Sequence, residues 1–197
     1  MTKSSVQSGH FSPEIVANKA SQVAKASSDS RSDGNQALVS CLASFIHHGY
    51  ITEMQRMRLV NIDLSEVAHA SALADVTATD VWIQNVTGNI ALVISRIKCR
   101  VLSLSEMMLG TDDTAALVQG MQTAVEVVEL GDVLPLDTVE LDMNTLVTYD
   151  GRGHCREVGC WGETGERYGN QLATWGETMG WGVRKYAFDD VVMIARE

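Results

Sequence analysis

No stretch of this 197-residue chain approaches the roughly 20 consecutive apolar residues that a bilayer-spanning helix needs. Met1 to His10 lacks the apolar core of a secretory leader, so the cytosol is the expected location. Cysteine is sparse. Cys41, Cys99, Cys155 and Cys160 stand at irregular intervals inside apolar patterns, unlike a secreted disulfide framework, and are expected to be reduced, buried thiols. Phosphate-cradling loops are missing: there is no G-x-x-x-x-G-K-[ST] and no G-x-G-x-x-G, and Gly151-Arg152-Gly153 is expected to be a turn. Basic residues are outnumbered, 15 Lys and Arg against 25 Asp and Glu, for a formal net charge of -10. That balance excludes counterion release from a nucleic acid as a driving force and repels anionic lipid, so neither nucleic acid nor membrane is an expected partner.

What is present is enough for one folded domain: 45% of the residues are hydrophobic and 20% charged. Residues 1–35 are rich in Ser, Lys, Asp and Ala, and are expected to be a flexible polar lead-in. The domain is expected over 36–197, with a C-terminal cap from about residue 164. From Gln36 the pattern changes. Leu38, Cys41, Leu42 and Phe45 follow helical spacing and predict a helix that buries this stripe and stops near Gly49.

Beyond that helix a nine-residue pattern recurs, with apolar residues in its first, fourth, sixth and usually ninth places. Its five occurrences begin at Leu59, Ala78, Cys99, Val125 and Cys155, and their fourth-place residues are Ile62, Val81, Leu102, Val128 and Val158. Fourth and sixth places, two apart, lie on one side of a strand, and the fifth lies on the other. Between the third and fourth occurrences, Thr114, Leu117, Val118 and Met121 have helical spacing. Strand followed by helix at this period predicts parallel strands with helices outside, each unit burying its apolar face against its neighbours. A second match, Leu136 to Leu146, starts too close to Val125 to form its own unit, so one of the two is accidental. After the fifth occurrence, Tyr168, Leu172, Trp175 and Met179 predict an amphipathic helix ended by Gly180, and Val191 to Ile194 predict a closing strand whose edge Arg196 and Glu197 would blunt.

This pattern resembles that of the leucine-rich-repeat family, L-x-x-L-x-L-x-x-N/C-x-L, over roughly Leu59 to Glu163. The longer later units are similar to the strand-plus-helix repeats of ribonuclease-inhibitor-like proteins and of NOD-like-receptor sensor regions. The resemblance implies an α/β fold: a short solenoid of parallel strands with outer helices, closed by a C-terminal helix and strand. It also implies a protein-binding function on the concave side. A plain α/β sheet with coincidental spacing is the alternative.

No residue set points to catalysis. His154, Cys155 and Cys160 lack the paired spacing of a tetrahedral zinc site, and no cofactor is expected. Cys41 is six and seven residues from His47 and His48, and on a helix the farther one stands about two turns, roughly 10 Å, away. The expected function is therefore that of an interaction module, scaffold or sensor. Its acidic concave face would carry Asp63, Trp82, Gln84, Glu106, Glu129, Asp132 and Trp161, and would receive a protein or peptide with a basic or amphipathic surface. The competing reading is an α/β hydrolase or transferase of unfamiliar type that works through a carboxylate pair or Cys155.

Overall fold

The computed structural model describes residues 31–135, 154–186 and 190–196. Helix α1 (Arg31–His47) is followed by an alternation: β1 (Glu53–Leu64), α2 (Val67–Ala74), β2 (Thr77–Gly88), α3 (Ile90–Arg96), β3 (Lys98–Leu109), α4 (Thr111–Thr123) and β4 (Val127–Pro135). The described chain closes with β5 (Glu157–Trp161), α5 (Gly162–Met179), β6 (Gly182–Tyr186) and β7 (Val191–Ala195). The architecture is α/β. One seven-stranded sheet has the order β1-β2-β3-β4-β5-β7-β6. The first five strands are parallel and lie in chain order, and β7 runs antiparallel between β5 and β6.

Alternation in each strand explains why the helices gather on one face. Val81 and Ile83, Leu102 and Leu104, Val128 and Leu130, and Val158 and Cys160 are all buried, and the pairing aligns them into two continuous rows. Each such aliphatic side chain removed from water contributes about 1.5–3 kcal/mol. The helices lie against this face, and consecutive helices from α1 to α4 pack on one another. The strand at the fourth occurrence is the one beginning near Val125, since Val128 pairs with Leu102. The Leu136 to Leu146 match and the Gly151 turn lie outside the described residues.

A second regularity runs along the strands' C-terminal ends. Asn61, Asn85, Glu106 and Asp132 have φ of 53°, 48°, 50° and 53°, and Gly162 has 59°. Pairing puts all five at one register, because Val60↔Gln84↔Ser105↔Gly131↔Trp161 is the row immediately before them. A left-handed residue interrupts the pleat. Residues three apart, Ile83 and Val86, Leu104 and Met107, Leu130 and Val133, therefore all turn inward. Asn, Asp and Gly tolerate this conformation at small cost.

The same register corrects the first occurrence of the repeat. Met57 pairs with Val81 and Leu59 with Ile83, so the unit begins at Met54, which is 59−54=5 residues earlier than its apolar spacing indicated. Both Met57-x-Leu59 and Ile62-x-Leu64 satisfy the alternation, and the break at Asn61 decides between them. The fifth-place residue of β1 is thus Arg58.

Helix α1 buries a stripe other than the one predicted. Val39, Ala43 and Ile46 are in the core, Leu38 and Leu42 are half-buried, and Cys41 and Phe45 are exposed. The helix is apolar on nearly every side, so spacing alone does not choose its inner face. The choice falls to packing against α2, where Ala70, Ala72 and Ala74 leave room for close approach. Cys41 is consequently an exposed thiol rather than a buried one.

At the other end, α5 lies almost in contact with β7. A Cβ on Gly165 would stand 1.9 Å from the Asp190 carbonyl oxygen, and one on Gly176 would stand 2.6 Å from Ile194 Cγ2. Tyr168 and Leu172 are buried as expected, and Gly180, at φ 71°, ends the helix. The cap holds one strand more than predicted. The outermost strand is β6, which carries exposed Arg184 and Lys185, while Arg196 donates its backbone N–H to the Arg156 carbonyl at 2.8 Å instead of flanking an edge.

Candidate interaction face

The face of the sheet opposite the helices is built from the alternate residues. One row runs Arg58, Trp82, Ser103, Glu129, Gly159 and Met193, and the next runs Val60, Gln84, Ser105, Gly131 and Trp161. The Arg58 guanidinium lies over the Trp82 indole, 5.1 Å from the ring centroid, a cation–π contact that fixes both side chains. Beside them Asp80 holds Arg56 at 3.6 Å and Arg100 at 3.4 Å. The Ser103 hydroxyl donates to Glu129 Oε2. Trp161 folds over Gly131 so closely that a Cβ there would lie 2.1 Å from the indole nitrogen.

Two polar atoms of this face are buried without a hydrogen-bond partner: Trp82 Nε1 and Ser105 Oγ. Leaving such a group unpaired costs about 1–3 kcal/mol. They stand on adjacent strands, Ser105 being paired with Gln84, two residues beyond Trp82.

Of the residues expected to bind a partner, Trp82, Gln84, Glu129 and Trp161 lie in these two rows. Glu106 and Asp132 stand in the left-handed row at the margin, both exposed, and Asp132 Oδ1 accepts the Glu163 N–H at 2.8 Å. Asp63 is elsewhere. It sits past the left-handed residue, pairs in register with Thr87, and accepts from the Ser65 hydroxyl at 2.6 Å, the Ser65 N–H at 3.0 Å and the Thr87 hydroxyl at 3.4 Å. The Ser65 hydroxyl above all, then its amide, and more weakly Thr87, hold the Asp63 carboxyl below its ordinary pKa. Arg58, absent from the expected set, takes the place next to Trp82. The signal for it was the polar Asn61 two residues after Leu59, matching Asn85 two residues after Ile83. The face is thus mixed in charge, with acidic groups concentrated at its margin.

The groups that an enzymatic reading would need are placed differently. Cys155 and Cys160 are fully buried, and Cys99 is nearly so. Burial pushes the Cys155 and Cys160 thiols up to about 11 and the Cys99 thiol, with Asp80 adding to it, to about 12. Such thiols stay protonated at neutral pH and are poor nucleophiles. His154 points to Glu126 at 3.8 Å, and among the described residues no three His, Cys, Asp or Glu side chains gather into a metal-holding group. A shallow cleft of about 190 Å³ between α5 and the β6–β7 pair is lined by Glu166, Asn170 and Lys185 among others, none of which belongs to the two rows above. No helix among the described residues is long and apolar enough to cross a membrane. Comparison of the chain with protein-family models, with characterised proteins and with solved structures finds no match.

Proposed function

We propose that the chain is a short solenoid of the leucine-rich-repeat kind, acting in the cytosol as a protein-interaction module through the face of its sheet opposite the described helices. The chain-order pairing of the first five strands, the helices packed in the same order, and the left-handed residue repeated at one register support the solenoid reading. The observation that carries the binding reading is Trp82. A half-buried indole on the sheet face opposite the described helices, held by Arg58, is the type of group that anchors recognition surfaces. Trp161 is a second half-buried aromatic on the same face.

The partner is a protein or peptide segment with an amphipathic or basic surface. Its apolar side chains pack on Trp82 and Trp161. Its basic groups meet Glu129 and the marginal Glu106 and Asp132.

The test pairs thermal melts with titrations of a captured partner. Trp82→Ala is expected to weaken binding by about 2 kcal/mol, roughly thirtyfold, with little change in melting. Glu129→Lys is expected to slow association and flatten its salt dependence. A Trp82→Ala protein that binds normally, or that unfolds early, defeats the reading.

A further inference from the structure

From α1 to α4 each helix packs on the next, and from β1 to β5 each strand pairs with the next, so the units between are covered on both sides. The two ends differ. At the far end the edge strand β6 has five residues and shows solvent the charged side chains Arg184 and Lys185. At the near end the edge strand β1 has 12 residues and pairs on one side only among the described residues. The outer side of α1 beside it carries exposed Ala37, Cys41 and Phe45 at intervals of four, continued by Tyr50. Phe45 is 47% and Tyr50 77% exposed. No Asp, Glu, Lys or Arg occurs from Gly34 to Ile46. Terminal units of such stacks ordinarily present a polar outer side.

We propose that this end is where two copies of the chain meet, α1 against α1 and β1 beside β1, about a two-fold axis. Identical strands placed edge to edge about such an axis run antiparallel, and the contact is self-complementary, the same patch serving both copies. The area suffices. A 12-residue strand is about 40 Å long, and a sheet layer plus a helix layer is about 20 Å deep. The product, about 800 Å² per copy, equals the usual share of a stable interface. Charge favours the same occupant. A chain of net charge -10 repels its copy over most of its surface, and an uncharged helix face is where the two approach at least cost. The arginines of β1 are already engaged, Arg56 by Asp80 and Arg58 by Trp82. The inference uses the end of the stack rather than its open face, and stands or falls separately from the binding reading above.

Sedimentation equilibrium of the full chain should show a dimer at tens of micromolar. Phe45→Glu and Tyr50→Glu should each raise the dissociation constant at least tenfold with unchanged circular dichroism, while Met108→Glu, on an exposed side chain at the end of β3, should leave it unaltered. Should Phe45→Glu fail to fold, Tyr50→Glu, in the connection after α1, carries the test alone. A short bis-maleimide should join Cys41 to Cys41, giving a doubled band that Cys41→Ser abolishes. A dimer indifferent to both substitutions, or one without the Cys41 cross-link, overturns the proposal. So does a monomer at every concentration.

Discussion

The side-chain amide of Asn85 donates to the side-chain oxygen of Asn61 at 2.7 Å, and both residues are left-handed, at φ 48° and 53°. Two strands separated in sequence by a helix therefore repeat not only a pairing register but also a backbone exception. Glu106 repeats the exception with a residue type poorly suited to it. A left-handed conformation costs an ordinary L-residue about 1–2 kcal/mol, and a short side chain such as Asn offsets part of this by local hydrogen bonding.

Replacing Glu106 by glycine should accordingly stabilise the fold. Relief of strain outweighs the extra freedom glycine gives the unfolded chain, leaving a gain of about 0.5–1 kcal/mol. Glu106→Val, β-branched at the same φ, should be less stable than the parent. Urea unfolding of the three proteins measures both differences, and equal midpoints would mean that Glu106 is not strained.

Gly131→Ala should dislodge Trp161 from the open face. The new methyl would occupy the space of the indole, at 2.1 Å from its nitrogen. The indole is the far end of a side chain and can swing away, so the expected cost in stability is modest, about 1 kcal/mol. The readout is the intrinsic fluorescence of the folded protein, which should shift to longer wavelength and lose that shift in a Trp161→Phe background. An unchanged spectrum would put Trp161 elsewhere.

Gly165→Ala and Gly180→Ala separate contact from conformation. At Gly165 the obstacle is the backbone of Asp190, 1.9 Å away, which cannot yield without moving α5 off β7, and a loss of about 3 kcal/mol is expected. At Gly180 there is open space but φ is 71°, so only the left-handed penalty of about 1 kcal/mol applies. Thermal melts that rank the two variants in the opposite order would contradict the tight seating of α5.

The buried thiols make stability depend on alkaline pH. Cys99, Cys155 and Cys160 hold their protons to about 12, 11 and 11 in the folded protein against an ordinary 9.0. Above pH 9 the unfolded chain releases protons that the folded chain retains, so the unfolded state binds fewer and unfolding becomes easier as pH rises. Their combined contribution is a fall of about 3 kcal/mol per pH unit around pH 10, where the unfolded thiols are mostly ionised and the folded ones mostly are not, and it lessens as pH approaches 11. Urea titrations across this range should show it, with Cys99→Ala removing about one third of the slope. A Cys99→Ala slope identical to the parent's would mean that this thiol ionises normally.

The strands were legible because hydrophobic alternation is a direct imprint of a half-buried sheet: Val81 and Ile83, Leu102 and Leu104, and Val128 and Leu130 read correctly as inward pairs. The first strand was not, since two overlapping alternations, Met57-x-Leu59 and Ile62-x-Leu64, fit equally well until the conformation of Asn61 is known. That slip of five residues put Asp63 where Arg58 stands and made the face look uniformly acidic. The inner side of α1 was illegible for a related reason: its apolar residues spread over an arc much wider than one face, broken only by the polar stripe Gln36, Ser40, Ser44 and His47, so spacing alone does not single out Val39, Ala43 and Ile46. β6 escaped notice because Gly182 to Tyr186 lacks an apolar face altogether, its burial pattern being exposed at four of five positions.

The reversal of direction at β7 has one more effect. Because β6 and β7 fold back antiparallel and leave a short rim of Arg184 and Lys185, growth of the sheet by addition of further chains is discouraged on that side. A sheet with one such blunted rim is disfavoured from growing head to tail, which needs both rims to accept a neighbour. The antiparallel β6–β7 pair thus works against fibre growth from that end of the sheet.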